Sequence, residues 1–320
     1  MPDREVLVLA IPTPPLRLAG LLVGALVLLP SVAVAEAPLW ATDVEHASDF
    51  AFDPSACEQP LLLSEVFKDV GFGVQEEVST LTASAMSDAD ERSLGLRLHP
   101  MLALTAFTGD YPWVESYLDE LLDQITRYAS RDLMWQSHVY DDEFPNAYAV
   151  PGGYIYVSTG MLGMLENEAQ LVAILAHEVG HHEGRHSILR FQYLKALGIW
   201  NPNDDGSLTQ STLTALEIPF ISKQEEVADA FAVNVLIELG YSPYQLVRFM
   251  LLMQELFYGE EEALGDSFAA ALLPELRNLL EDHPRPLARA CAAWRDIALR
   301  VDFSKDPLFY VGRANLRDLT

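Results

Sequence analysis

Three residues on one short stretch could carry out chemistry together. Ala173–His186 reads AILAHEVGHHEGRH and places His177, Glu178 and His181 in the order H-E-x-x-H among Leu171, Val172, Ile174, Leu175 and Val179. On an α-helix, residues four apart share a face, so the two imidazoles can grip one ion between them. Glu178 falls one step round, beside the open position of such an ion, where its carboxylate can take a proton from water. A run this apolar predicts a buried helix, and two histidines and a carboxylate are costly there unless something compensates them. A cation, zinc for this spacing, is one compensator. The other reading is a core helix whose histidines are satisfied by ordinary partners.

Zinc in a hydrolase takes three protein ligands and keeps one position open. Three places could supply the third. The metzincin pattern puts a histidine six residues beyond the second ligand, where this chain has Ser187. His186 is one residue short, and on a continuous helix it lies about 180° from His177. His182 also points away from the pair. Downstream, Gln224-Glu225-Glu226-Val227-Ala228-Asp229 sets Glu225 and Asp229 four apart. One helical face would then carry a ligand carboxylate and a second carboxylate able to orient a ligand histidine. Glu226 reads as part of an exposed acidic face.

The elements that must position these residues are legible in outline. The motif helix is expected from about Glu168 to Arg190 or beyond. Ahead of it, Trp135–Tyr140, Ala147–Val150 and Tyr154–Ser158, with turns at Asp141–Pro145 and Pro151-Gly152-Gly153, predict a small sheet. Pro112–Ala129 carries Val114, Leu118, Leu121, Ile125 and Tyr128 at helical spacing. Residues 198–222, with Asn-Pro-Asn-Asp-Asp-Gly inside, form a long irregular excursion of the kind that serves as a functional loop or lid. Helices are expected over Gln224–Leu239, Pro243–Leu256, Glu261–Leu280 and Pro286–Val301, the first stopped by Gly240. Residues 36–60 read as an irregular lead-in. The fold class is therefore α+β and predominantly helical.

A chain of 320 residues, half of them hydrophobic, can build a sizeable core. The formal net charge of −27 argues against nucleic acid as a partner, which needs a basic surface, and against anionic lipid headgroups. Residues 1–35 combine Arg17, the apolar run Leu18–Leu29, Pro30 and Ala33-Val34-Ala35, the layout of a secretory signal peptide. An uncleaved anchor is the alternative; after cleavage no stable membrane span is expected. Cys57 and Cys291, the two cysteines, are either one disulfide closing a long loop or two buried thiols.

Four motifs in order resemble one known family. They are Asn146-Ala147-Tyr148-Ala149-Val150-Pro151-Gly152-Gly153, His177-Glu178-Val179-Gly180-His181 with Arg185-His186, Glu225-x-x-Ala228-Asp229, and His283-Pro284 with Arg289. The chain resembles the gluzincin metallopeptidases that include the CAAX prenyl endopeptidases and the heat-shock membrane protease. It is most similar to the soluble periplasmic members, which act in outer-membrane quality control. The motifs span residues 146–289, and weaker similarity reaches back to about residue 65. Two departures stand out: Ser222-Lys223 replaces the family's Ser-Arg, and Trp200–Pro219 aligns with no motif.

The resemblance implies a zincin-like domain over residues 61–320, with Zn2+ held by His177, His181 and Glu225 and with Glu178 as general base. Asp229 and His186 would support the ligands, and Arg289 would tie helices together through a carboxylate. Asn146, Ala147, Tyr148, Ala149 and Val150 would form an edge strand beside the active-site helix, to which an extended peptide adds. His283 either donates to the developing oxyanion, occupies the metal's open position in a latent form, or sits at a helix N-terminus with no catalytic part. The implied function is zinc-dependent cleavage of unfolded or misassembled envelope polypeptides after export, most simply to the periplasm. The rival reading is a chaperone-like or latent cleft-binding protein whose site is closed by a loop or by His283.

Overall fold

The arrangement that places Glu225 near two histidines 48 and 44 residues earlier is seen in a computed structural model of the chain. It describes residues 43–53, 55, 57, 86–105, 109–196, 198, 215, 220, 222–258 and 286–316. Eight α-helices and five strands occur among them. The helices are α1 (Asp88–Thr105), α2 (Pro112–Ile125), α3 (Thr159–Met164), α4 (Glu168–Glu183), α5 (His186–Ala196), α6 (Ser222–Leu239), α7 (Tyr244–Tyr258) and α8 (Pro286–Arg300). The expected leader (1–35), the helix expected over 261–280, most of the 198–222 loop and His283 lie outside the described residues. No helix among the described residues is long and apolar enough to cross a membrane.

Helix α4 carries the H-E-x-x-H residues and is buried from Glu168 through His182. Asn167 starts it, its side chain accepting from the Gln170 N–H. Its end differs from the sequence reading, which ran one helix to Arg190 or beyond. Gly184 closes α4, Arg185 takes a left-handed φ of 60°, and α5 begins at His186. Arg185 is held in that conformation by hydrogen bonds to the Met86 carbonyl and Asp88. Because the helix is broken there, the angular argument that sent His186 to the far side no longer applies.

Helix α6 crosses α4 at two small residues. A Cβ on Gly180 would lie 2.8 Å from the Ala228 Cα, so only glycine lets the two backbones approach this closely. On α2, Val114, Leu118, Leu121 and Ile125 are buried as their spacing predicts, while Tyr128 falls in a 3₁₀ turn and is exposed.

Strands β2 (Gln136–Tyr140), β3 (Ala147–Val150) and β4 (Tyr154–Ser158) form a sheet in the order β2-β4-β3. Strand β4 runs parallel to β2 and antiparallel to β3, with Ala147 opposite Val157. Strand β3 is thus an edge, as predicted. Gly152 and Gly153 turn the chain between β3 and β4 with φ of 102° and 98°, which L side chains rarely adopt.

The expected irregular lead-in is partly ordered. Within it, β1 (Val44–His46) pairs antiparallel with β5 (Leu308–Tyr310). A three-residue strand whose partner is the other end of the chain leaves no local periodicity to read. Cys57 and Cys291 are joined, tying this segment to α8 across 234 positions.

Candidate metal centre

His177 and His181 sit one turn apart on α4, their Nε2 atoms 3.0 Å from each other. Glu225, in the first turn of α6, closes the triangle, with Oε2 3.7 Å from His177 Nε2 and Oε1 3.4 Å from His181 Nε2. One ligand atom from each of the three lies within 4.8 Å of the others, and all three residues are buried. For metal–ligand bonds of about 2.0–2.2 Å, tetrahedral geometry sets neighbouring ligand atoms ~3.4 Å apart. The observed edges bracket that value, so the donor set fits a small divalent cation. Burial, and then the neighbouring His177, hold His181 well below the usual histidine range. The ring is therefore neutral and offers a lone pair.

Each ligand is held from behind. Asp229, one turn after Glu225 on α6, places Oδ1 2.8 Å from His177 Nδ1. Assigned from this network, His177 Nδ1–H donates to the carboxylate and leaves the Nε2 lone pair facing Glu225. Arg289 on α8 joins both carboxylates, Nη1 at 2.7 Å from Glu225 Oε2 and Nη2 at 2.7 Å from Asp229 Oδ1. Burial pushes the Asp229 carboxyl up, but Arg289 and His177 outweigh it and hold the group below its ordinary value. The helix tie expected of Arg289 is thus made through two carboxylates.

His186 Nδ1 lies 2.9 Å from His181 Nδ1, an approach that the break after Glu183 allows. Burial is the main cause that pushes His186 down to about 4, so as a neutral ring it can accept a hydrogen bond from His181 Nδ1–H. Phe220 stacks on His181 at 3.7 Å between centroids, and the Arg190 guanidinium lies 3.4 Å from the centre of the Phe220 ring. Sequence reasoning missed this stack, because a lone phenylalanine at the end of a loop carries no signal.

His182 points away from the pair, as expected, but into a network that the sequence did not announce. Its ring is 3.7 Å from Glu91, which pairs at 2.6 Å with Arg131; Arg131 in turn donates to the His182 carbonyl and to Asp88. Ser187 accompanies His182 at 3.3 Å. Glu226 is exposed beside Lys223. Away from the ligand group, His46 meets Asp306, and His99 stacks on His138 and meets the Tyr156 hydroxyl. None of them joins the ligand group.

Glu178 is buried and lines a cleft with His177, Arg289, Asn146 and Ala147. The start of β3 therefore borders the same space as the carboxylate. Tyr148 accepts a hydrogen bond from the Asn146 amide, Ala149 is buried, and Val150 packs at the other end of the strand with Ile188 and Phe191.

Comparison with known proteins bears on these residues. Residues 110–295 match the family model described as Peptidase family M48. The mitochondrial metalloendopeptidase OMA1 of Schizosaccharomyces pombe is 32% identical over 135 residues, 40% of this chain and 40% of its own. That of Arabidopsis thaliana is 32% identical over 117 residues, 35% of this chain and 24% of its own. The beta-barrel assembly-enhancing protease of Escherichia coli (strain K12) is 23% identical over 235 residues, 68% of this chain and 46% of its own. The chain spans less than half the length of these relatives.

Proposed function

The chain belongs to peptidase family M48, and we propose that it is a zinc-dependent endopeptidase cleaving unfolded or misassembled polypeptides of the cell envelope. One observation carries this reading: His177, His181 and Glu225 converge on one point, with Glu178 lining the adjoining cleft. Two imidazoles and a carboxylate are a donor set that suits zinc. Zinc held by them supplies a Lewis acid, lowering the pKa of a water to about 7 and polarising the scissile carbonyl.

The chain's own groups do the rest. Glu178 accepts a proton from the attacking water and passes it to the leaving amine. Asp229, His186 and Arg289 keep the ligand rings and carboxylate oriented. Residues 146–150 hold an extended polypeptide by adding it to the edge of β3, which accommodates many sequences in one backbone geometry. The Cys57–Cys291 bridge supports an oxidising compartment, in agreement with a cleaved leader at 1–35 and a periplasmic location. The name of the Escherichia coli relative supports envelope proteins as substrates.

The test is metal analysis of the purified protein combined with digestion of an unfolded protein such as casein. Zinc near one equivalent and cleavage are expected, and Glu178→Gln should retain the zinc while cleaving at least ~100-fold more slowly. A zinc-loaded protein that leaves casein intact, or a Gln variant as fast as wild type, overturns the reading.

A further inference from the structure

The His181 ring is restrained at its edges and also across its face. His186 holds the Nδ1 edge at 2.9 Å, and Nε2 faces Glu225. One broad face is covered by Phe220, whose ring lies 15° from parallel at 3.7 Å between centroids. The Arg190 guanidinium, from α5, lies over the same phenyl ring at 3.4 Å from its centre. Two groups this close to one centre cannot share a face, so Phe220 is sandwiched between the imidazole and the cation. Phe220 is 2% exposed and Arg190 3%, which closes the stack to water.

We infer that Phe220 is a positioning residue that controls how fast the centre gives up its metal, with Arg190 holding the phenyl ring in place. The inference rests on the metal-binding part of the endopeptidase reading and adds the group that keeps the cation in. A histidine leaves a cation by turning its ring about the Cβ–Cγ bond, a soft torsion. A hydrogen bond at Nδ1 lies in the ring plane and resists that turn weakly. A parallel ring in contact with the face resists it strongly, since the turning imidazole must first displace it.

The other ways of opening the ligand set are already restrained. Arg289 holds Glu225 at 2.7 Å, and Asp229 holds His177 at 2.8 Å. Helices α4 and α6 meet too closely at Gly180 and Ala228 to slide past each other. Phe220 also stands five positions before Glu225 and two before the start of α6, so shifting it disturbs the entry to the turn that carries that ligand.

Arg190 explains why the ring stays seated. A cation buried this deeply is costly without compensation, and the π face of Phe220 supplies part of it. A planar guanidinium stacks flat on a phenyl ring, whereas an ammonium does not. An aliphatic residue at position 220 would fill the volume but offer a flat face to neither neighbour.

The test follows metal release and needs no substrate. The zinc-loaded full chain is mixed with excess chromogenic chelator, and the rate of zinc transfer is read by absorbance. Phe220→Leu, which keeps apolar bulk and loses the flat face, should release zinc about 10-fold faster than wild type. Arg190→Lys, which keeps the charge and loses the stacking plane, should release it about 3-fold faster. It leaves Phe220 in place and so reads the same stack if the leucine variant does not fold. In the double variant the lysine should add nothing, because it acts through the ring. Leu118→Ala, a cavity in the core on α2, is the control: it should lower the thermal midpoint and leave the release rate unchanged. Wild-type release from Phe220→Leu and Arg190→Lys, or release that Leu118→Ala speeds equally, overturns the inference and leaves the peptidase standing. Effects of the two substitutions that simply multiply overturn the role of Arg190. A wild-type chain that binds no zinc overturns the metal centre and this inference together, whereas a zinc-loaded chain that leaves casein intact overturns the peptidase alone.

Discussion

Arg289 Nη1 lies 2.7 Å from Glu225 Oε2, so an arginine from α8 grips the carboxylate that faces both imidazoles. The same guanidinium forks onto Asp229 through Nε and Nη2, at 2.9 and 2.7 Å. Two carboxylates buried on one helix would repel each other; the planar fork neutralises them and fixes their orientation. Burial pulls the Arg289 pKa down, but Asp229 and Glu225 outweigh it and raise the group. The centre is thus a five-residue assembly from three helices rather than a motif on one.

Arg289→Lys should keep the charge and lose the fork, weakening metal retention about 10–100-fold in competition with a chelator. Arg289→Ala leaves two buried carboxylates uncompensated and should lower unfolding stability by about 3–5 kcal/mol in urea titrations. An alanine variant with wild-type stability would mean that the pairing is not structural.

His186→Phe preserves a ring and removes the acceptor beside His181 Nδ1. Metal affinity should fall by about 10–100-fold. Chelator competition at neutral pH reads this directly, and an unchanged affinity would remove His186 from the support of His181.

Glu91 predicts a response to acid. Burial pushes its carboxyl up, but hydrogen bonds and charge from His182 and Arg131 outweigh it, so it sits below its ordinary 4.5. A carboxyl lowered in the folded state contributes stability that is complete above the unfolded value and lost as pH falls through the folded one. The thermal midpoint should therefore drop progressively below about pH 4.5, the ordinary value of this group. Glu91→Gln should be less stable at pH 7 and show a shallower acid slope. Equal slopes in the two proteins would assign the acid transition to other groups.

The Cys57–Cys291 bridge closes a loop of 234 positions and ends two residues from Arg289. Thiol titration of the denatured, unreduced protein should find no reactive thiol. Cys291→Ser should cost about 2–5 kcal/mol of stability. A fully titratable pair in protein purified without reductant would contradict the bridge.

How much was legible depends on how local the signal was. His177, Glu178, His181, Glu225 and Asp229 stand out because spacings of one and four residues on a helix are written in consecutive letters, and a helix sets their faces by itself. The same holds for α2, the three-stranded sheet and the stop at Gly240, where periodicity or a glycine acts within a few residues. The angle that set His186 opposite His177 holds only on a continuous helix; the helix breaks at Arg185, whose side chain is held by Asp88 and the Met86 carbonyl, almost a hundred residues earlier.

The sequence by itself determined which residues can bind a cation and move a proton, since those are properties of side-chain type and helical turn. Only the tertiary structure decided that they meet. The approach of Gly180 to Ala228 brings α6 onto α4, Arg289 and Phe220 arrive from distant segments, and the β1–β5 and Cys57–Cys291 closures join the ends of the described chain. Such contacts follow from packing and buried charge balance, which no window of neighbouring residues encodes.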